Sequence, residues 1–179
     1  MATQKLTMDA LQRKTKEEFK RSQKTPVIVV LENIRSAYNV GSAFRTADAF
    51  LLEAIYITGY TATPPHKEIK KTALGAEETV RWQHFAQAGE AIAALKAEGY
   101  KVYAVEQVVD SLMLQEVRFA KDEKVAVVLG NEVSGVEVNT IELCDGCIEI
   151  PQFGTKHSLN VATAAGVVLW EIVRTRVND

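Results

Sequence analysis

Three short polar segments of this chain combine residue types that can orient reacting groups and stabilise charge. The first is Asn39-Val-Gly-Ser-Ala-Phe-Arg45, which carries an amide and a guanidinium. The second is Gly130-Asn-Glu-Val-Ser-Gly135, with the carboxylate of Glu132 between two glycines. The third is Gly154-Thr-Lys-His-Ser-Leu-Asn160, with a hydroxyl at Ser158 and an amide at Asn160. Gly130 and Gly154 let backbone approach a ligand closely.

Each residue also has a purely structural reading. Asn39, Ser158 and Asn160 stand where helices are expected to begin and suit N-caps. Glu132 suits a surface loop. Arg45 falls about 240° around a helix from Asn39, beside the apolar Phe44 and Ala47, where a charge needs a partner or a function. Familiar nucleotide signatures are missing from the sequence. There is no Gly-x-Gly-x-x-Gly, and the Gly130/Gly135 pair is followed by Val136-Glu137 rather than Lys-Ser/Thr. A Gly-x-Ser-x-Gly nucleophile elbow is also lacking. Cys144 and Cys147 have no second ligand pair, so they read as small buried apolar residues beside a turn, and no metal is expected.

All three segments follow apolar runs. Residues 27–31 and 125–129 are continuous β-branched or aliphatic runs, the pattern of strands covered on both faces. Residues 147–150 form a shorter run before the third segment. Further strands are expected at 54–58, 79–83 and 100–105. Helices are expected at 6–24, 39–50, 86–98, 139–143 and 158–174, with a short helix and turn over 68–78. This alternation predicts an α/β fold with a mostly parallel sheet and helices on both faces. In such sheets ligands gather beyond the carboxyl ends of strands, where the three polar segments begin.

The chain has 179 residues, enough for one full core with a short appendage. No apolar run approaches the ~18 residues of a membrane span, and the N-terminus lacks the apolar core of a secretory signal. The cytoplasm is the expected location, with no membrane partner. Net charge is −2, but its distribution is uneven: residues 1–26 hold seven Lys/Arg against three Asp/Glu, and the rest hold fourteen against twenty. Residues 1–25 therefore read as a basic helical arm and 26–179 as the main domain.

The three segments, in this order, resemble the signatures of the SpoU (TrmH-like) family of RNA ribose 2′-O-methyltransferases, of the SPOUT class. The likeness spans roughly residues 27–174. It implies a C-terminal deep trefoil knot, which periodicity alone would not suggest. It implies S-adenosylmethionine as methyl donor, S-adenosylhomocysteine as product, and a homodimer whose sites are completed across the interface. By position, Leu129, Gly130, Asn131, Ile150, Gln152, Ser158 and Leu159 would bind the donor, with Thr58 and Gly59 contributing. Arg45, Asn39, Glu132, Ser158 and Asn160 would form the catalytic group. Gln152 stands where the family often has Met or another apolar residue. The substrate would be tRNA or rRNA, with tRNA favoured by the small size and short arm. Arg35, Lys70, Lys71 and Lys156 are candidate phosphate contacts, with Lys67 and Arg81 beside them. His66 and His157 lack a triad-like acid partner and suit structural or RNA-contacting roles. Two other readings stay open: a non-catalytic RNA-binding module on the same scaffold, and another nucleotide-dependent α/β enzyme.

Overall fold

The structure, a computed structural model, describes residue 3, residues 5–7 and residues 9–177. Residues 1, 2, 4 and 8 of the expected arm, and 178 and 179 of the expected main domain, lie outside the described residues.

Among the described residues, seven strands form a single sheet: β1 (Thr25–Glu32), β2 (Leu52–Thr58), β3 (Arg81–Phe85), β4 (Lys101–Val105), β5 (Leu112–Met113), β6 (Val125–Leu129) and β7 (Gly146–Glu149). Their order is β3-β2-β1-β6-β4-β7-β5. Every pairing is parallel, so all the carboxyl ends share one edge. The central strands are apolar on both sides because helices cover both faces. Val27, Val29 and Leu31 join one core with α2 (Ala37–Ala49), α3 (Lys67–Ala73) and α6 (Val161–Val177). Ile28 and Val30 join a second core with α4 (Ala88–Ala97) and α5 (Val138–Leu143). All five side chains are at most 2% exposed, which explains why strict alternation is missing from the sequence.

The two-residue strand β5 and the 3-10 turn at Leu114–Glu116 have no counterpart in the periodicity, being too short to repeat a pattern. The last helix starts at Val161, not at 158. The expected helix over 6–24 is corrected to two short pieces, a 3-10 turn at Asp9–Leu11 and α1 (Lys16–Arg21). Gln12 takes a positive φ of 46° between them, and Thr15 opens α1 with a reciprocal capping box to Glu18. The thin apolar stripe supports no longer helix. Phe19 is the anchor of α1: it is buried, and the Lys24 ammonium lies 3.6 Å from its ring centroid.

Candidate functional site

Strand order explains how distant segments meet. β1 lies beside β6, so the loop entering α2 meets the loop 130–137. β4 alone separates β6 from β7, so loop 150–160 lies nearby. Between them opens a cavity of about 580 Å³, within the size range of small-molecule sites.

Glu132 is the hub. Its carboxylate accepts hydrogen bonds from the Arg35 and Ser36 amides, at 2.8 and 3.0 Å, and from Asn39 Nδ2 at 2.8 Å. It thereby places negative charge at the N-terminus of α2, where the helix dipole favours it. Burial pushes the Glu132 pKa up, but these hydrogen bonds together outweigh burial and hold the carboxyl below its ordinary value. The N-cap of α2 is Ser36, not Asn39. Asn39 lies in the first helical turn, and its side chain is free to bridge: Nδ2 donates to Glu132, and Oδ1 accepts from Asn160 Nδ2 at 3.2 Å. Asn160 in turn caps α6, its Oδ1 accepting from the Ala162 and Thr163 amides at 2.9 and 3.3 Å. A continuous relay, Asn160 to Asn39 to Glu132, joins all three segments.

The loop carrying Glu132 is tightly closed. Asn131 and Gly135 exchange two backbone hydrogen bonds, and Asn131 Oδ1 accepts from the Val133 and Ser134 amides. Asn131 Nδ2 donates to the Asn33 carbonyl and to the Tyr60 hydroxyl. A Cβ on Gly130 would lie 2.2 Å from backbone atoms of Gly135 and Val136, so only glycine fits there. Below the loop, Glu32 is 2% exposed and accepts from the Thr140 hydroxyl and from the Glu137 amide. Burial drives its pKa up. Glu32 thus ties the end of β1 to the start of α5, a role the sequence did not announce.

The cavity wall includes Leu129, Gly130, Asn131, Glu132, Ile150, Gln152, Ser158, Leu159 and Asn160. His157 also lines it, while His66 caps α3 through Nδ1. Thr58 and Gly59 do not line it. They end β2, which β1 separates from β6; Thr58 donates to the Leu31 carbonyl, and Gly59 makes room for Asn33. Their place is taken by a third loop, Val105 to Gln107, after β4. Glu106 there accepts from the Val136 and Gln107 amides and clasps the 130–137 loop. A carboxylate at the end of an expected strand was the available signal, but only strand order reveals its neighbours. Among the described residues, the lining contains Glu106, Glu132 and Glu149 and no Lys or Arg, so the wall is acidic.

Arg45 does not line the cavity. It lies exposed on α2, and its guanidinium makes no hydrogen bond or ion pair among the described residues. Arg35, Lys70, Lys71 and Lys156 are all exposed. The Lys71 ammonium donates to the Tyr38 hydroxyl at 3.4 Å. Cys144 donates to the Thr140 carbonyl and Cys147 is buried; burial pushes both thiols up, Cys144 to about 12, so neither is a reactive thiolate. No group of three or more His, Cys, Asp or Glu suited to a metal occurs among the described residues.

The chain is similar in sequence and fold to known proteins. The chain is 35% identical over 162 residues to a tRNA (guanosine(18)-2′-O)-methyltransferase of Thermus thermophilus, covering 90% of this chain and 81% of that one. It is 32% identical to a 23S rRNA (guanosine-2′-O-)-methyltransferase of Neisseria meningitidis, covering 85% of this chain but 60% of the relative. The chain therefore spans about three-fifths of that rRNA enzyme's length. Its fold superposes on the crystal structure of a TrmH/SpoU tRNA modifying enzyme of A. aeolicus with a TM-score of 0.79 at 26% identity, covering 91% of this chain and 81% of that one. An AdoMet-bound rRNA methyltransferase from Sinorhizobium meliloti gives 0.77 at 29%, covering 85% and 57%. The model of the SpoU rRNA methylase family matches residues 26–170, a stretch that contains the relay and every loop of the cavity, and the chain belongs to that family.

Proposed function

We propose that this chain transfers the methyl group of S-adenosylmethionine to a ribose 2′-hydroxyl of tRNA or rRNA: the S–CH3 bond breaks as the O–CH3 bond forms, leaving S-adenosylhomocysteine, and the hydroxyl proton passes to solvent. The observation that carries this reading is the Asn160–Asn39–Glu132 relay beside an acidic cavity. The cavity suits the donor, which is net positive through its sulfonium and ammonium groups. A wall of three carboxylates without Lys or Arg is poorly matched to the phosphates of NAD or ATP. Gly130 and Gly135 bring backbone to the cavity, and Leu129, Ile150 and Leu159 supply apolar cover for a ring. Bound there, S-adenosylmethionine supplies an electrophilic methyl on sulfonium sulfur.

The chain's own residues orient the acceptor. Asn39, Glu132 and Asn160 form a rigid frame for ribose and donor, with Ser158 on the same wall. Holding the hydroxyl in line with the methyl removes much of the entropic barrier. Arg45 would hold the adjoining phosphate and stabilise the developing alkoxide. Since it lies outside its own chain's cavity, we place it at the partner's site in a homodimer. Val167 and Trp170, 39% and 53% exposed on one face of α6, and Tyr38, 40% exposed on α2, support such an interface. We further propose that the end of the chain threads a knot: β7 lies between β4 and β5, and the segment joining those strands passes the exit of β7. Arg35, Lys70, Lys71 and Lys156 would contact phosphates, aided by the basic arm of residues 1–25, and residues 26–179 would form the catalytic domain. None of the described helices is long and apolar enough to cross a membrane, and we assign the chain to the cytoplasm, where its RNA is modified.

The test is transfer of labelled methyl from S-adenosylmethionine to total RNA of a strain lacking the gene, followed by mapping. Calorimetry with S-adenosylhomocysteine and with NAD accompanies it. Transfer to a ribose with selective binding of the first compound is expected. Binding of NAD alone would overturn the reading, and donor binding without transfer to any RNA would point to a non-catalytic module.

A further inference from the structure

A second cavity, of about 450 Å³, lies away from the relay, at the β3 edge of the sheet. Trp82 lines it. This residue pairs with Ile55 of β2 and packs on the core under α2 and α3, yet it remains half-buried and lines the cavity. Pro64 and Pro65 contribute apolar lining, and His66, Lys67 and Lys70 line it as well.

The charges around the cavity are not equivalent. Of the two carboxylates lining it, Glu77 accepts from the Gly75 amide and Glu78 is paired with Lys16 of α1. Both are thus engaged by their own chain. Lys67 and Lys70 form no ion pair among the described residues. An aromatic platform with apolar walls and two unpaired ammonium groups suits a flat ring attached to a phosphate. The loop from β2 to α3 links this cavity to the loop that carries Glu132. At its start Tyr60 is 64% exposed, and its hydroxyl accepts from Asn131 Nδ2 at 2.7 Å; at its end stands Lys67.

We propose that this cavity holds one unpaired nucleobase of the bound RNA, stacked on Trp82, with its flanking phosphates on Lys67 and Lys70. The occupant is a nucleotide other than the one methylated. This inference rests on RNA being the substrate, and it assigns the chain a second recognition point that selects unpaired RNA.

The test measures binding of the full-length chain to a mixed-sequence single-stranded RNA oligonucleotide and to the fully paired duplex of the same sequence. Trp82→Ala is expected to weaken single-strand binding between about 5-fold and about 150-fold, with duplex binding within about twofold of wild type. Trp82→Phe retains most of the affinity. The double variant Lys67→Ala/Lys70→Ala lowers the salt slope of single-strand binding by about 1.4. Binding of S-adenosylhomocysteine is unchanged in all three. Because Trp82 packs on the core, the lysine pair and Trp82→Phe decide the matter if Trp82→Ala does not fold. Wild-type affinity and slope in the lysine variant, or equal losses on single strand and duplex, overturn the proposal. Trp82-dependent binding without methyl transfer would sink the catalytic reading but leave this one standing; transfer with Trp82-independent binding would do the reverse.

Discussion

Asn160 Nδ2 donates to Asn39 Oδ1 at 3.2 Å, and because Asn39 Nδ2 is committed to Glu132 at 2.8 Å, the amide of Asn39 has only one useful orientation. Residues 121 positions apart in the chain are thereby locked into one frame.

The first prediction concerns that lock. Asn39→Ala and Asn160→Ala each lower methyl transfer at least about tenfold, since a misplaced frame loses near-attack geometry. In urea unfolding the two substitutions are non-additive by about 0.5–1.5 kcal/mol, the net worth of one hydrogen bond. Additive losses would show that the contact does not couple the two loops.

Acid titration separates two carboxylates. Glu132 has its folded pKa below the ordinary 4.5. Its stabilisation is complete above that value and is lost as pH falls through the folded pKa. The advantage of wild type over Glu132→Gln therefore shrinks in acid. Glu32 has the opposite sign, because burial raises its folded pKa above 4.5. Its contribution falls as pH rises from 4.5 toward that raised value, so Glu32→Gln gains on wild type over the same rise. Urea midpoints across the acid range check both signs, and parallel curves for the two variants would contradict them.

Gly130→Ala forces a Cβ to within 2.2 Å of the backbone of Gly135 and Val136. The loop must move, at a cost of about 1–3 kcal/mol, and affinity for S-adenosylhomocysteine drops at least about tenfold. Gly154→Ala is the control: its Cβ meets nothing within 4 Å, and stability should change by no more than about 0.5 kcal/mol. Calorimetry and thermal melts distinguish the two. Equal tolerance at both positions would mean the 130–137 loop is not closed as described.

Arg45→Ala is expected to reduce transfer at least about 100-fold, comparable to loss of a group that stabilises developing charge. Donor binding should persist, because Arg45 is assigned to the phosphate and alkoxide of the acceptor, while the cavity proposed for the donor is lined by other residues. Full activity in this variant would remove Arg45 from the mechanism.

If Arg45 serves a partner's site, mixing the impaired Arg45→Ala and Asn160→Ala chains raises transfer above that of either alone, since one site of the mixed dimer is then intact. Trp170→Glu, placing charge on the exposed face of α6, yields monomers by sedimentation and abolishes transfer. A fully active monomer would end the shared-site reading.

Asn39, Glu132 and Asn160 each suit a cap or a surface loop when read singly; the coincidence of three polar segments and the resemblance to the SpoU family single them out together, and the structure joins them by hydrogen bonds. The central strands were legible too: 125–129 was expected and β6 is Val125–Leu129. Short-range patterns carry that information, since burial on both faces writes continuous apolar runs. Strand order is another matter. Strands buried on both faces look alike in sequence, so nothing local says that β4 lies between β6 and β7, or that β2 lies beyond β1. That order brought Glu106 to the cavity and left Thr58 and Gly59 outside it. It also gave Asn39 a bridging role, with Ser36 taking the helix cap. Residue chemistry is a property of the chain alone; which chemistries become neighbours is settled only when long-range packing chooses one arrangement of similar strands.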